Sequence, residues 1–429
     1  MSIPLDRLYH YVEKIIEEIH GDNIIIYRFF PHGSKKFTDL SPLKTVPLAW
    51  KEKKLQPQVF CNDQEPLDYT LYDDLPEDQL LLNEVLVNIK KHGLIIPRKN
   101  FRIDTFTIWD KALLLHSERR STEVEIYKNN DFIPVYYWAH AMVAQDWFRY
   151  AQHVQQNKTP NKLFLIYSRG WSGTREYRLK FLEMLLSNDL KDYSQASIQP
   201  VDSVTSIHYQ QHQFKNIDWK PVNDLEEHFC VNNVPSEFSA DFDLQDYENT
   251  HIEVVLETLF DDSRLHFTEK ILRPIALEQP FILMGAHGGL EYLRSYGFKT
   301  FSDVWSEDYD TITDPKQRMQ AVIDLMKHIK NLRKDQQLDI VQNARQIAAY
   351  NKKRFFSQEF FQQVLGELKT NIVSAVDELK NTNIGQTWYD IRQKFTDNEP
   401  VQRELAKIRS QQETDEVFDI LMEYRRRNK

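Results

Sequence analysis

At 429 residues the chain is long enough for about two or three domains with substantial cores, and 41% hydrophobic with 28% charged residues is the composition of a soluble globular protein. No run of eighteen or more apolar residues occurs and the N-terminal MSIPLDRLYHYVEKIIEEIH has no signal-peptide core, so the expectation is a cytoplasmic protein without a membrane partner. The formal net charge of -10 gives no overall pull towards nucleic acid, and Cys61 and Cys230, far apart in the chain, argue against a disulfide framework or a cysteine-rich zinc site.

Leu8, Val12, Ile15, Ile16 and Ile19 recur at helical spacing, which predicts an amphipathic first helix over residues 1–20, ended by Gly21. Ile24 to Phe30 reads as a strand and residues 32–57 as loop with short elements. Gln58 to Cys61 reads as the next strand, ending in Asn62, Asp63, Gln64, Glu65 and Pro66. A carboxylate at a strand end can take the proton of an attacking hydroxyl, so Asp63 and Glu65 are candidate general bases; acids that cap the next segment would read the same way. Basic clusters at Arg98, Lys99 and Arg102, at Arg119 and Arg120, and at Arg425 to Arg427 are solvated faces or a local basic groove.

Ala112 to Leu115 predicts a strand that delivers His116, Ser117 and Glu118 to its end. No glycine-flanked nucleophile elbow surrounds Ser117, which rejects a hydrolase and leaves His116 as a third base candidate or as a buried, hydrogen-bonded histidine. Ile133 to Trp138 is an aromatic strand and WAHAMVAQDWFRYAQHV is helical; Trp138, His140 and Arg149 there are candidates to line an acceptor pocket, because aromatic faces stack sugars and bases, although most of these aromatics must be packing. Gln155 to Asn161, polar with one proline, has the composition of a domain linker.

Leu163 to Tyr167 then predicts a strand ending in Ser168, Arg169 and Gly170, and Trp171 to Arg178 opens a long helix. Arg169, Arg175 and Arg178 could hold phosphates, since guanidinium forks match phosphate geometry. His208 and His212 lie four apart, a zinc spacing on a helix, but no H-E-x-x-H accompanies them. The D-x-D matches at Asp241 to Asp243 and Asp308 to Asp310 read as chance in an acid-rich chain.

The most informative stretch, His251 to Gly297, reads HIEVVLETLFDDSRLHFTEKILRPIALEQPFILMGAHGGLEYLRSYG. Ile252 to Leu256 has a buried-strand pattern and ends in Glu257 and Thr258; a loop carries Asp261, Asp262, Arg264 and His266; Thr268, Glu269 and Lys270 open a helix; Phe281 to Met284 is a second apolar strand; and Gly285, Gly288 and Gly289 lead into another helix. Such βαβ units build parallel sheets, whose ligands gather at the carboxyl ends of the strands. Free N–H groups at the helix start and the charge of Lys270 would take a phosphate, and Glu269 would accept from ribose hydroxyls. An ordinary helix start would also explain Thr-Glu-Lys, and Pro274 complicates the helix.

The TEK motif before a strand and glycine turn resembles the donor site of GT-B glycosyltransferases of the α1,3-fucosyltransferase type. A longer likeness, through VVLETLFDDSRLHFTEK, IYSRGWSGTREYR and YYWAHAMVAQDWFRYA, covers most of residues 100–380 and is to tailed-phage proteins classed as glycosyltransferases, some associated with sugars on hydroxymethylated cytosine in phage DNA. This resemblance implies an α/β chain of GT-B type, with two Rossmann-like domains facing a cleft: 1–157 on the acceptor side, 158–312 binding the donor, helices over 313–380 packing back on the first domain, and a peripheral helical extension over 381–429. It implies an enzyme, in the host cytoplasm if phage-encoded, that moves an arabinose or hexose from a UDP- or GDP-linked sugar to 5-hydroxymethylcytosine in double-stranded DNA, without metal or cofactor. Donor binding would fall to Glu269, Lys270, Arg169, Arg175, Arg264, Thr268, Gly285 and Gly288, and catalysis to Glu65, Asp63 or His116. A glycan or lipopolysaccharide fucosyltransferase-like enzyme, or a non-catalytic nucleotide- or DNA-binding accessory protein, is the alternative.

Overall fold

The computed structural model describes residues 112–129, 132–202, 205–231 and 240–380, the short segments 25–28, 41–44, 58–67, 107–109 and 384–387, and positions 11, 12, 14, 15 and 18. Most of the expected first helix, the basic clusters at 98–102 and 425–427, and most of the 381–429 extension lie outside the described residues. The chain is mixed α/β and forms two compact units: one of residues 1–3, 119–121 and 140–365, the other of residues 4–118, 122–139 and 366–429.

In the unit that holds most of the N-terminal half, β1 (Ile25–Arg28), β2 (Ser41–Lys44), β3 (Gln58–Cys61), β5 (Ala112–His116) and β6 (Phe132–Tyr136) form a sheet in the order β2-β1-β3-β5-β6. Its pairings are parallel except the edge pair of β1 and β2. Val59, Leu113, Leu114, Leu115, Ile133 and Val135 are buried, which is why these strands read as continuous apolar runs rather than alternating ones. The helix α1 (Thr122–Asn129) connects β5 to β6. A separate antiparallel pair joins β4 (Thr107–Trp109) to β12 (Ile384–Thr387), so this piece of the C-terminal extension is strand rather than helix. Ile384, Gly385 and Thr387 favour that outcome, being poor helix formers.

The continuous part of the larger unit begins within α2 (Ala139–Trp147). Its sheet holds β7 (Lys162–Ile166), β8 (Ser194–Ile198), β9 (Cys230–Val231), β10 (Thr250–Leu256) and β11 (Phe281–Met284), all parallel, in the order β11-β10-β7-β8-β9. Counted from β7 as the first strand this is 3-2-1-4-5, the order of a doubly wound sheet, and it reverses between β7 and β10. The helices of the unit are α3 (Tyr177–Ser187), α4 (Leu244–Glu248), α5 (Glu269–Ala276), α6 (Gly289–Ser295), α7 (Pro315–Asn331), α8 (Lys334–Phe355) and the first part of α9 (Gln358–Lys380). The long helix expected from Trp171 starts later, at Tyr177, because Gly173 takes a left-handed φ of 69° and only a short 3-10 turn, Gly173–Arg175, precedes it.

Two polar devices hold this sheet together. Glu253, fully buried in the middle of β10, receives Arg273 Nη2 and the Tyr247 hydroxyl, each at 2.6 Å, and the Tyr247 hydroxyl also accepts from Arg273 Nε at 3.0 Å. A buried carboxylate persists only with such partners; removing one would cost about 3–5 kcal/mol. At the amino end, residues 155–161, which read as a linker, are tied to α4 and β10: Lys158 Nζ donates to the carbonyls of Tyr247 and Thr250 and to the Gln279 side chain, and Asn161 N to the Asn249 carbonyl at 3.0 Å. Among the described residues no helix is long and apolar enough to cross a membrane.

Candidate functional site

The reversal point of the doubly wound sheet is where such sheets bind ligands, and here it is closed by a side chain. Arg178, on the second residue of α3 and 1% exposed, donates from Nη1 to the carbonyls of Arg169 and Gly170 at 2.5 and 2.7 Å, and from Nη2 to those of Leu256 and Glu257 at 2.7 and 3.2 Å. It thereby satisfies the ends of both strands, and its expected role on phosphates is corrected: this guanidinium is a structural cross-link. The Tyr177 hydroxyl adds a 2.6 Å bond to the Glu257 carbonyl.

Beyond this plug, the loop after β10 and the start of α5 form a polar cluster. Thr268 caps α5, accepting from Lys270 N. Glu257, fully buried at the end of β10, reaches across: its carboxylate accepts from Thr258 N at 3.2 Å, Ile271 N at 3.2 Å, Thr268 N at 3.4 Å and the Thr268 hydroxyl at 2.9 Å. Burial pushes its pKa up, against the pull of the Lys270 charge. The N–H groups that were to receive a phosphate are thus partly taken by an internal carboxylate, which corrects the expectation of a free helix start.

What the cluster offers a ligand is its side chains. Lys270 Nζ lies 2.7 Å from Glu269 Oε1 and within 3.4 Å of the Thr258 and Thr268 hydroxyls, with 13% of the side chain exposed. Glu269 Oε2 sits 3.7 Å from His140 Nε2. His140 is buried, its ring packs edge-on to His266 at 5.5 Å, and its Nδ1 has no hydrogen-bond partner among the described residues. Burial lowers its pKa to about 4, outweighing the neighbouring Glu269, so it is neutral at pH 7. The arrangement is a partly neutralised ammonium beside a carboxylate and a neutral imidazole, in a setting dry enough to make its charges effective.

The glycine loop after β11 borders the same rim. Gly288 has a left-handed φ of 76°, and a Cβ on Gly289 would stand 2.7 Å from Phe267 Cζ, so both glycines are required by the fold. Gly285 needs neither exemption: its φ is ordinary and an added Cβ would meet Phe267 and Leu283 at 3.5 and 3.6 Å, normal contact. Its carbonyl accepts from Arg318 Nε at 3.1 Å. Asp310 closes the loop, accepting Leu290 N on its carboxylate at 3.0 Å and Gly288 N on its carbonyl at 2.8 Å, and burial raises its pKa to about 6.

Other sequence-predicted residues are more dispersed. Arg169 Nη1 donates to the Asp241 carbonyl at 3.0 Å and its guanidinium stacks over Tyr167. Arg175 Nε bonds its own turn at the Ser172 carbonyl, and Arg264 makes a two-pronged pair with Asp262 at 2.7 and 2.9 Å. Arg149 folds back on Asp146 and Tyr150. Trp138 has no exposed surface and belongs to the core, so its expected place in an acceptor pocket is corrected. His208 and His212 flank a 3-10 turn and turn to different carboxylates, Glu226 and Glu176; no group of metal-ligating side chains occurs among the described residues. Asp243 caps α4 and Asp310 serves the glycine loop, which accounts for one acid in each D-x-D match.

On the sheet of the other unit, the ends of β3, β5 and β6 bring the base candidates together. Asp63 is buried and accepts from the Tyr137 hydroxyl, while Glu118 accepts Leu67 N at 2.6 Å. Ser117 Oγ bridges the Tyr137 carbonyl and Ala139 N, a purely structural use. His116 is buried edge-on to Tyr136, and burial holds its pKa down at about 4. Glu65 is half-buried.

Sequence reasoning missed Arg178 as a cross-link, the pairing of His140 with Glu269, and the placement of Arg120 on the glycine loop; none has a local sequence signal, because each depends on residues more than seventy positions apart. No protein-family model matches the chain, and no curated protein matches it either.

Proposed function

We propose that the chain is a glycosyltransferase that draws a sugar from a nucleoside-diphosphate donor bound at the carboxyl rim of the doubly wound sheet. The observation that carries this reading is Lys270: a partly exposed ammonium, at the first turn of α5, whose ion-pair partner among the described residues is Glu269. A diphosphate arriving at the rim would replace that neighbour and use the ammonium to stabilise the charge that builds on the departing nucleotide. Glu269, released from Lys270, would accept from the ribose hydroxyls, and Arg169 would add positive charge from the end of β7. Gly285 supports the reading, since the fold itself does not require a glycine there.

For the acceptor proton, the surroundings favour Glu65 over its rivals. Asp63 is buried and already receives a hydroxyl, and His116 is buried as well. Glu65 keeps part of its surface in solvent at the end of β3. The acceptor we favour is 5-hydroxymethylcytosine in double-stranded DNA, on the strength of the likeness to phage glycosyltransferases. The test is transfer from a panel of UDP- and GDP-sugars to hydroxymethylcytosine DNA, plain DNA and oligosaccharides, by the wild type and Lys270→Ala. Transfer to the modified DNA, cut at least a hundredfold by the substitution, is expected. Transfer only to an oligosaccharide would move the protein to glycan synthesis, and near-normal turnover of the variant would remove Lys270 from the mechanism.

A further inference from the structure

Residues 119–121 form a short strap that belongs to the larger unit although the chain on both sides of it belongs to the other. Arg119 anchors the strap: its N–H and carbonyl exchange 2.9 Å hydrogen bonds with Leu265, and its guanidinium lies 4.9 Å from the Tyr292 ring centre. With Arg119 so fixed, the strap needs nothing from the next side chain. Arg120 nevertheless sits at a φ of 58°, a left-handed conformation that a non-glycine residue rarely adopts. Strain of this kind persists where surrounding structure imposes it and gathers at ligand sites.

The conformation directs the exposed Arg120 side chain onto the glycine loop. Nη1 lies 3.0 Å from His287 Nε2 and Nη2 donates to the His287 carbonyl, while the position of a Cβ on Gly288 would be 3.5 Å from Nη1. A guanidinium carries five N–H donors, and these contacts occupy two of its nitrogens without neutralising its charge. Accepting at Nε2 makes His287 neutral, with its own N–H at Nδ1. Arg318 approaches the loop from Gly285, so two guanidiniums and an imidazole N–H surround five residues of backbone. Asp310 and Glu291 act on Arg120 electrostatically but make no ion pair with it. A planar fork with spare donors, beside backbone lacking side chains, is the chemistry that recognises a phosphoryl group.

We infer that Arg120 is an anion-binding residue of the donor site, delivered by the 119–121 strap to hold a phosphate of the nucleotide over the Gly285 to Gly289 loop. The inference rests on the donor-site reading above for the identity of the ligand, but not for the anion. It is tested by calorimetric titration of inorganic pyrophosphate, UDP and GDP into the wild type, Arg120→Gly and Arg120→Lys, with donor KM and kcat measured alongside. Arg120→Gly suits the left-handed backbone and so removes the guanidinium without penalising the fold. Pyrophosphate binding by the wild type, at least tenfold weaker in Arg120→Gly and partly restored in Arg120→Lys, is expected, with a raised donor KM and a smaller change in kcat. Failure of the wild type to bind pyrophosphate, or equal binding by Arg120→Gly, overturns the inference. Sugar transfer with an unchanged donor KM in Arg120→Gly would leave the glycosyltransferase reading standing and defeat Arg120 alone; loss of pyrophosphate binding in a protein that transfers no sugar would keep the anion site and defeat the other reading.

Discussion

The three glycines of the loop after β11 separate what the fold requires from what a ligand requires. At Gly289 a methyl group would overlap the Phe267 ring at 2.7 Å, and overpacking of this kind costs about 1–3 kcal/mol. At Gly285 the same methyl group meets only ordinary contacts. Gly289→Ala is therefore expected to lower the melting temperature by several degrees, and Gly285→Ala to leave it within about a degree or two of the wild type. If Gly285 is kept small so that a nucleotide can approach the backbone, Gly285→Ala should weaken UDP or GDP binding all the same. Thermal melting and titration on both variants decide it: unchanged nucleotide binding in a stable Gly285→Ala protein would return the residue to chance. The same separation applies to the cationic side chains, where Arg178 is spent on four carbonyls and Lys270 is not.

At the scale of the element, α5 is held at its start by a residue that is not its neighbour in the chain. Glu257 serves three backbone N–H groups and the Thr268 hydroxyl, so Glu257→Ala would leave buried donors unpaired, at a cost of about 1–3 kcal/mol, and Glu257→Gln would cost less because its carbonyl still accepts. Urea denaturation of the two variants measures this, and equal midpoints for Glu257→Ala and the wild type would show that the cap does not stabilise α5. The cap also marks the limit of what the sequence discloses. The strands at Gln58 to Cys61 and Phe281 to Met284 are legible to the residue, because a buried parallel strand is a continuous apolar run with polar ends. The start of α5 is legible too, through Thr268. Its capping partner lies eleven and fourteen residues upstream of the groups it serves, outside any local capping pattern, so a free anion site was expected where a carboxylate sits. Pro274 is tolerated because α5 ends two residues later, at Ala276, which confines the lost hydrogen bond to the last turn. Strand order, the Arg178 plug and the left-handed Arg120 depend on tertiary pairing, and no periodicity encodes them.

For the molecule as a whole, buried histidines set the response to acid. His116 in one unit and His140 in the other are nearly inaccessible, and burial lowers each from 6.5 to about 4. A histidine whose folded pKa is depressed contributes full stability above the unfolded pKa and loses it as pH falls towards the folded one, since only the unfolded chain takes up the proton in that window. Between pH 7.5 and 5 the loss is about 2 kcal/mol for each. Asp310 opposes it: its folded pKa of about 6 lies above the ordinary 3.8, so the native state binds a proton first as pH falls and gains about 1 kcal/mol over the same range. His251, lowered to about 4 by burial in the same way, adds to the loss, while the raised carboxyls of Asp246, Glu257 and Glu307 act with Asp310 against it; the histidine contribution taken by itself lowers the urea midpoint from pH 7.5 to pH 5. His116→Gln and His140→Gln should each flatten that dependence, because a glutamine takes up no proton in either state. A slope that both substitutions leave untouched would mean that the two imidazoles reach water in the native state after all.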